Sequence, residues 1–162
     1  MSMKRISRWG IGPIFAAASI IYAVVTMIIS RHFGPLFKIE SAQGPTLIVV
    51  GVALILLGIP FFVVAILTVS KAYKADKLVT GSVFRCCRHP LYASWVVFIA
   101  PGIVLLSNNW ISLSTPVFMY VILRLLVRKE EEYLEERFGA DYLKYKSSVP
   151  CILPYGSLLG RQ

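Results

Sequence analysis

The sequence predicts an all-α integral membrane protein: a bundle of about four transmembrane helices with a cytosolic connector and a C-terminal cytosolic helix and tail. Three observations carry this expectation. Hydrophobic side chains make up 57% of 162 residues, with a mean hydropathy of +0.71, more apolar surface than a soluble domain of this length can bury. The apolar residues gather into four runs, and the basic residues flank those runs. No Ser/Gly-rich linker, acidic tail, low-complexity tract or internal repeat divides the chain, so residues 1–162 read as a single membrane domain.

The first run, 11–30, follows Lys4, Arg5 and Arg8 and stops at Arg31-His32. It exceeds the roughly 7–15 apolar residues of a signal peptide and is expected to be a retained helix. The second run, 47–69, is long enough to cross a hydrocarbon layer of about 30 Å at about 1.5 Å of rise per residue. Pro60 predicts a bend within it, and Gly51 and Gly58 predict a close neighbouring helix. The third run, 91–106, and the fourth, 110–127, are separated only by Ser107-Asn108-Asn109, the spacing of a tight antiparallel helical hairpin with Trp110 at the interface. Beyond Val127 the charged helix formers from Arg128 to Arg137 are expected to carry the fourth helix out of the membrane. Gly139 is the expected stop, and Tyr142, Tyr145, Pro150 and Pro154 describe a tail that lies against the body.

Lys and Arg number 17 against 8 Asp and Glu, a formal charge of +9. In a soluble protein that balance would suggest nucleic acid. Here the cations cluster before the first run, between the second and third, and after the fourth, while the hairpin loop has none. The positive-inside rule then puts both termini and the segments 70–90 and 128–162 in the cytosol, of a plasma membrane or an endoplasmic reticulum. The expected partners of the charge are anionic lipid headgroups, with no nucleic acid. The loop 31–44, with Arg31, His32, Lys38 and Glu40, falls outside and mildly breaks the rule. Cys86, Cys87 and Cys151 have neither disulfide-framework nor zinc spacing, so no metal site is expected and a reducing face is the simpler reading.

The residue types that carry chemistry concentrate in two places: Arg88-His89-Pro90-Leu91-Tyr92 at the mouth of the third run, and Glu130-Glu131-Glu132 just past the fourth. An antiparallel hairpin ends both at one membrane surface. Pro90 suits the first turn of a helix, which makes His89 its cap. That helix start, with Arg88 beside it, is a candidate site for a carboxylate or phosphate. Binding of lipid headgroups by Arg88 and His89, with Tyr92 as an interfacial anchor, is the plainer alternative. Arg124, Arg128, Glu131 and Glu135 share one helical face. Arg124, inside an apolar run, is a functional candidate that is also near enough to the helix end to snorkel out. For the glutamates, a solvated face competes with a catalytic role.

These residues resemble the isoprenylcysteine carboxyl methyltransferases and their phospholipid methyltransferase relatives. The resemblance covers the C-terminal half: Leu78-Val79, a spacer, Arg88-His89-Pro90-x-Tyr92, a helical hairpin, Glu130-Glu131-x-x-Leu134, Phe138-Gly139-x-x-Tyr142-x-x-Tyr145 and Pro154. It departs from the family at Ser82 and Phe84, where a glycine and a tyrosine are usual, and at Cys151, where a basic residue is frequent. What the resemblance implies is a methyltransferase using S-adenosyl-L-methionine, with a lipid or lipidated acceptor reached from the bilayer. By the same analogy Leu78, Val79, Val83, Arg88, His89, Pro90, Tyr92 and Tyr142 would bind the cofactor, and Glu130, Glu131 and Arg124 would serve catalysis. Two competing classes are a sterol-reductase-like NADPH oxidoreductase, which shares an Arg-His-Pro-x-Tyr-like element, and a non-enzymatic membrane protein with a degenerate site.

Overall fold

The computed structural model describes residues 10–37, 44–74 and 77–152. The expectations that rest on Lys4, Arg5, Arg8, Lys38, Glu40 and Pro154 lie outside them. The architecture is helical: α1 (Gly12–His32), the single turn α2 (Gly34–Phe37), α3 (Gly44–Lys74), α4 (Pro90–Leu106) and α5 (Ser114–Ser148), with 3-10 turns at Ser82–Arg85 and Ile111–Leu113. α1, α3 and the helix entered at Ile111 are long and apolar enough to cross a membrane, and α4 is a shorter apolar helix. Ile21 and Leu56 stand 65% exposed on α1 and α3. Apolar side chains presented on this scale are stable against lipid and not against water. The chain is an integral membrane protein.

α1 begins with Pro13 in its first turn and ends on Arg31 and His32, where the Arg31 cation complements the helix dipole. α3 contains Pro60 in its interior. α4 starts as its sequence predicts, with His89 at the cap and Pro90 in the first turn. Its middle, Ser94–Ile99, winds as a π-helix, and the Ala100 N–H bonds back to the Trp95 carbonyl. Pro101 follows at once. Its missing N–H and its ring disfavour a normal turn, and the wider winding relieves both.

The close approach expected at the small residues is present. A Cβ on Gly51 would lie 2.8 Å from the Gly102 carbonyl oxygen, and one on Gly58 would lie 2.7 Å from side-chain atoms of Phe98 and Ile99. α3 and α4 therefore touch backbone to backbone. α1 packs along α5, where Tyr22 stacks on Phe118 with centroids 4.0 Å apart. Ile11, Phe15, Ala93, Val96, Met119, Leu123 and Val127 fill the core between α1, α4 and α5. A second, smaller core gathers Phe84, Tyr142 and Tyr145 with Leu78, Val79, Val83 and Leu134.

Two boundaries differ from the sequence expectation. The fourth run does not begin as a helix at Trp110, because a 3-10 turn precedes α5. Gly139 does not stop α5. It takes φ 53° and ψ −127°, a conformation open to glycine, and the helix resumes to Ser148 at a changed angle. Tyr142 and Tyr145 thus sit on a helical segment folded back over the connector, with the Tyr145 hydroxyl donating to the Phe84 carbonyl at 2.7 Å.

Candidate functional site

The hairpin brings the two chemically dense segments together. Glu131 Oε1 accepts from Arg88 Nε at 3.1 Å and Nη2 at 2.7 Å, and lies 3.4 Å from His89 Nε2. Its other oxygen faces Lys146 Nζ at 3.2 Å, and Lys146 also pairs with Glu135. Burial alone would raise the Glu131 pKa, but hydrogen bonds from His89 and Arg88, the Arg88 charge and Lys146 outweigh it and hold the carboxyl at about 2. Arg88 Nη1 donates to the carbonyls of Lys146 and Val149, and the backbone N–H groups of Arg88 and His89 donate to Pro150 and Cys151. The tail that sequence expects to lie against the body is strapped here, across the mouth of α4. His89, Glu131 and Cys151 bring one possible metal-ligating atom each within 4.8 Å of one another. The cations already paired with Glu131 would repel a metal ion at that point.

Glu130, one residue earlier, points elsewhere. Its Oε2 accepts from the Tyr92 hydroxyl at 3.2 Å. Gly10, in the left-handed region at φ +54°, brings the start of α1 so close that a Cβ there would touch the Glu130 carboxylate at 3.5 Å. Glu130 lines a cavity of about 230 Å³ whose wall includes Lys77, Val79, Leu134, Arg137 and Phe138. Tyr92 lines a second cavity of about 610 Å³, which is apolar and runs between α1, α4 and α5 through Phe15, Ala16, Ala23, Trp95 and Met119. The Tyr92–Glu130 hydrogen bond is the junction of a polar-rimmed pocket and an intramembrane cleft.

The smaller cavity combines apolar walls with side chains of both charges. Leu78, Val79, Leu134 and Phe138 offer apolar faces, Lys77 and Arg137 offer positive charge, and Glu130 offers negative charge. Arg137 donates to the Tyr133 hydroxyl at 2.8 Å and lies over the Phe138 ring, which orients both on the wall. Tyr142, on the same wall, buries its hydroxyl with no hydrogen-bond partner among the described residues. A buried polar atom left alone is costly, and a ligand that reaches it removes the cost.

Of the residues singled out from sequence, Leu78, Val79, Arg88, His89, Glu130 and Tyr142 line this cavity. Tyr92 lines the membrane-facing one. Val83 packs into the Phe84–Tyr142–Tyr145 core, and Pro90 is fully buried at the start of α4. Sequence gave Glu130 and Glu131 one role, and the structure separates them: Glu131 is enclosed by Arg88, His89 and Lys146 and lines neither cavity. Arg88, beside which a ligand carboxylate is expected from sequence, binds the internal Glu131 carboxylate and also lines the smaller cavity. Arg124 is exposed and lines neither cavity. Sequence reasoning missed Gly10, Lys77, Tyr133 and Arg137. The i, i+4 spacing of Tyr133 and Arg137 on the helix was the available signal.

Comparison with known proteins follows the same lines. The family model for phospholipid methyltransferase matches residues 41–141. Protein-S-isoprenylcysteine O-methyltransferase B of Arabidopsis thaliana is 29% identical over 65% of this chain and 58% of its own length. The mouse protein-S-isoprenylcysteine O-methyltransferase is 35% identical over 48% of this chain and 28% of its own length. The Saccharomyces cerevisiae one is 28% identical over 83% and 61%. The chain thus spans about a quarter to three-fifths of the length of these relatives. No solved structure matches it.

Proposed function

The chain belongs to the phospholipid methyltransferase family, and on that premise we propose that it transfers a methyl group from S-adenosyl-L-methionine to a lipidated acceptor at the cytosolic membrane surface. The observation that carries this is the Tyr92–Glu130 hydrogen bond at 3.2 Å, which joins a pocket suited to the donor to a cleft suited to a hydrocarbon chain. The relatives named for isoprenylcysteine support a prenylated cysteine carboxylate as the acceptor group.

S-Adenosyl-L-methionine, when bound, supplies an electrophilic methyl on a sulfonium. Val79, Leu134 and Phe138 would hold its adenosine, Lys77 and Arg137 its carboxylate, and the Tyr142 hydroxyl one of its acceptor atoms. Glu130 would face its cationic end, and Tyr92 fixes the orientation of the Glu130 carboxylate through their hydrogen bond. A carboxylate acceptor is already ionised near neutral pH, so no base is needed. Alignment and exclusion of water then supply most of the rate. The Arg88–Glu131 cluster is a positioning device: it holds the tail and the start of α4 so that the pocket keeps its shape. Both termini lie in the cytosol, following the charge asymmetry of the loops.

Calorimetry of the protein in lipid nanodiscs tests the donor. Saturable binding of S-adenosyl-L-methionine, weakened by Lys77→Ala, is the expected result. Absence of that binding overturns the proposal, and binding of NADPH in its place points to a reductase.

A further inference from the structure

Arg124, which lines neither cavity, stands on a face of α5 that changes character along its length. Val117, Val121 and Leu125 follow one another at i, i+4 spacing and are 64%, 51% and 60% exposed. Arg124, Arg128 and Lys129 are exposed on the same side, within about 100° of helical arc. The face is thus apolar and then cationic. The side chains of Arg128 and Lys129 form no hydrogen bond or ion pair among the described residues. The Arg124 guanidinium reaches the Cys151 thiol, which leaves it further N–H groups to donate. Glu132, exposed one turn beyond Arg128, pairs with none of these cations.

The level of the cations is fixed by α1. Its 21 residues rise about 30 Å, the thickness of a hydrocarbon layer. The start of α1 therefore marks one boundary of that layer, and Gly10, just before it, lies against Glu130 of α5. Arg128 and Lys129 are thus level with the lipid headgroups. Arg124 is about 6 Å deeper, a distance that an arginine side chain spans by snorkelling.

We propose that Arg124, Arg128 and Lys129 dock the phosphate of an anionic phospholipid in the leaflet on the pocket side, with an acyl chain lying along Val117, Val121 and Leu125. Arg124 and Arg128, one turn apart, are close enough to donate to the same phosphate. A headgroup with net negative charge is favoured, because the ammonium of a choline headgroup would be repelled by the same cations. The apolar strip gives the acyl chain a surface continuous with the cationic step. This docking does not depend on methyl transfer.

The test uses the whole chain in nanodiscs of phosphatidylcholine with a minority of phosphatidylserine, and counts the lipids retained on release by native mass spectrometry. Phosphatidylserine should be retained well above its share of the bilayer. Arg128→Gln/Lys129→Gln should lower that enrichment roughly tenfold, and Arg124→Gln should lower it further. Arg128→Glu/Lys129→Glu should abolish it. Arg85→Gln/Lys144→Gln removes the same charge from exposed positions elsewhere and should leave the enrichment in place. Phosphatidylglycerol should replace phosphatidylserine without loss, because the phosphate is what is bound. The melting temperature of each variant reports folding. Absence of enrichment in the unsubstituted protein, an unchanged enrichment in Arg128→Gln/Lys129→Gln, or an equal loss in Arg85→Gln/Lys144→Gln overturns the proposal. Enrichment of phosphatidylserine but not of phosphatidylglycerol also overturns it, since the serine group would then be what is recognised.

Discussion

Arg88 and Glu131, 43 residues apart in the chain, share one carboxylate oxygen through two guanidinium N–H groups, at 3.1 and 2.7 Å. The same guanidinium binds the carbonyls of Lys146 and Val149. One arginine therefore joins the connector, α5 and the tail.

Loss of either partner leaves the other charge enclosed. Arg88→Ala should destabilise the protein by about 3–5 kcal/mol, and Glu131→Gln by less because its amide still accepts hydrogen bonds. A double-mutant cycle on unfolding in detergent should show strong coupling. Additive effects would mean that the pair carries no shared energy.

The same carboxylate predicts an acid limit. Its pKa is held at about 2 in the fold against an ordinary value of 4.5, so its contribution is complete above about 4.5 and is lost as pH falls through about 2. Unfolding midpoints measured down that range should fall steeply, and Glu131→Gln should flatten the slope. An unchanged slope would assign acid sensitivity to other carboxylates.

Gly51 and Gly102 meet where a Cβ on Gly51 would lie 2.8 Å from a backbone oxygen. Backbone cannot step aside as a side chain can. Gly51→Ala should lower stability by about 1–3 kcal/mol, whereas Gly81→Ala, with nothing within 4 Å, should cost far less. Thermal unfolding of both variants in one detergent makes the comparison.

Tyr142 buries a hydroxyl that has no hydrogen-bond partner among the described residues. Tyr142→Phe should therefore leave the melting temperature unchanged or raised, while cofactor affinity falls roughly two- to tenfold, the loss of one hydrogen bond. Calorimetry beside thermal unfolding separates the two effects. A drop in stability with unchanged affinity would return Tyr142 to the core.

Much of this arrangement is legible in the sequence. Apolar runs and flanking charges define the spans, and the three-residue loop 107–109 implies that Arg88 and Glu131 meet. What pattern does not resolve is direction. Glu130 and Glu131 are adjacent and chemically alike, yet about 100° of helical rotation sends one to a cavity and the other into a cluster of cations. Gly139 reads as a helix stop because glycine is favoured there, but packing of Tyr142 and Tyr145 on Phe84 restarts the helix. The π-helical middle of α4 follows from Pro101, a local feature that periodicity does not register, whereas the contribution of Gly10 depends on a tertiary contact that no local pattern encodes.

The central claim is that donor and acceptor meet at Glu130. The direct measurement is transfer of labelled methyl from S-adenosyl-L-methionine to an S-prenylated cysteine, by the protein in nanodiscs and by Glu130→Gln beside Glu131→Gln. Transfer should occur, fall by roughly tenfold to a hundredfold in Glu130→Gln at unchanged stability, and be far less affected per folded molecule in Glu131→Gln. Full activity of Glu130→Gln, or no transfer by the unsubstituted protein, would contradict the account.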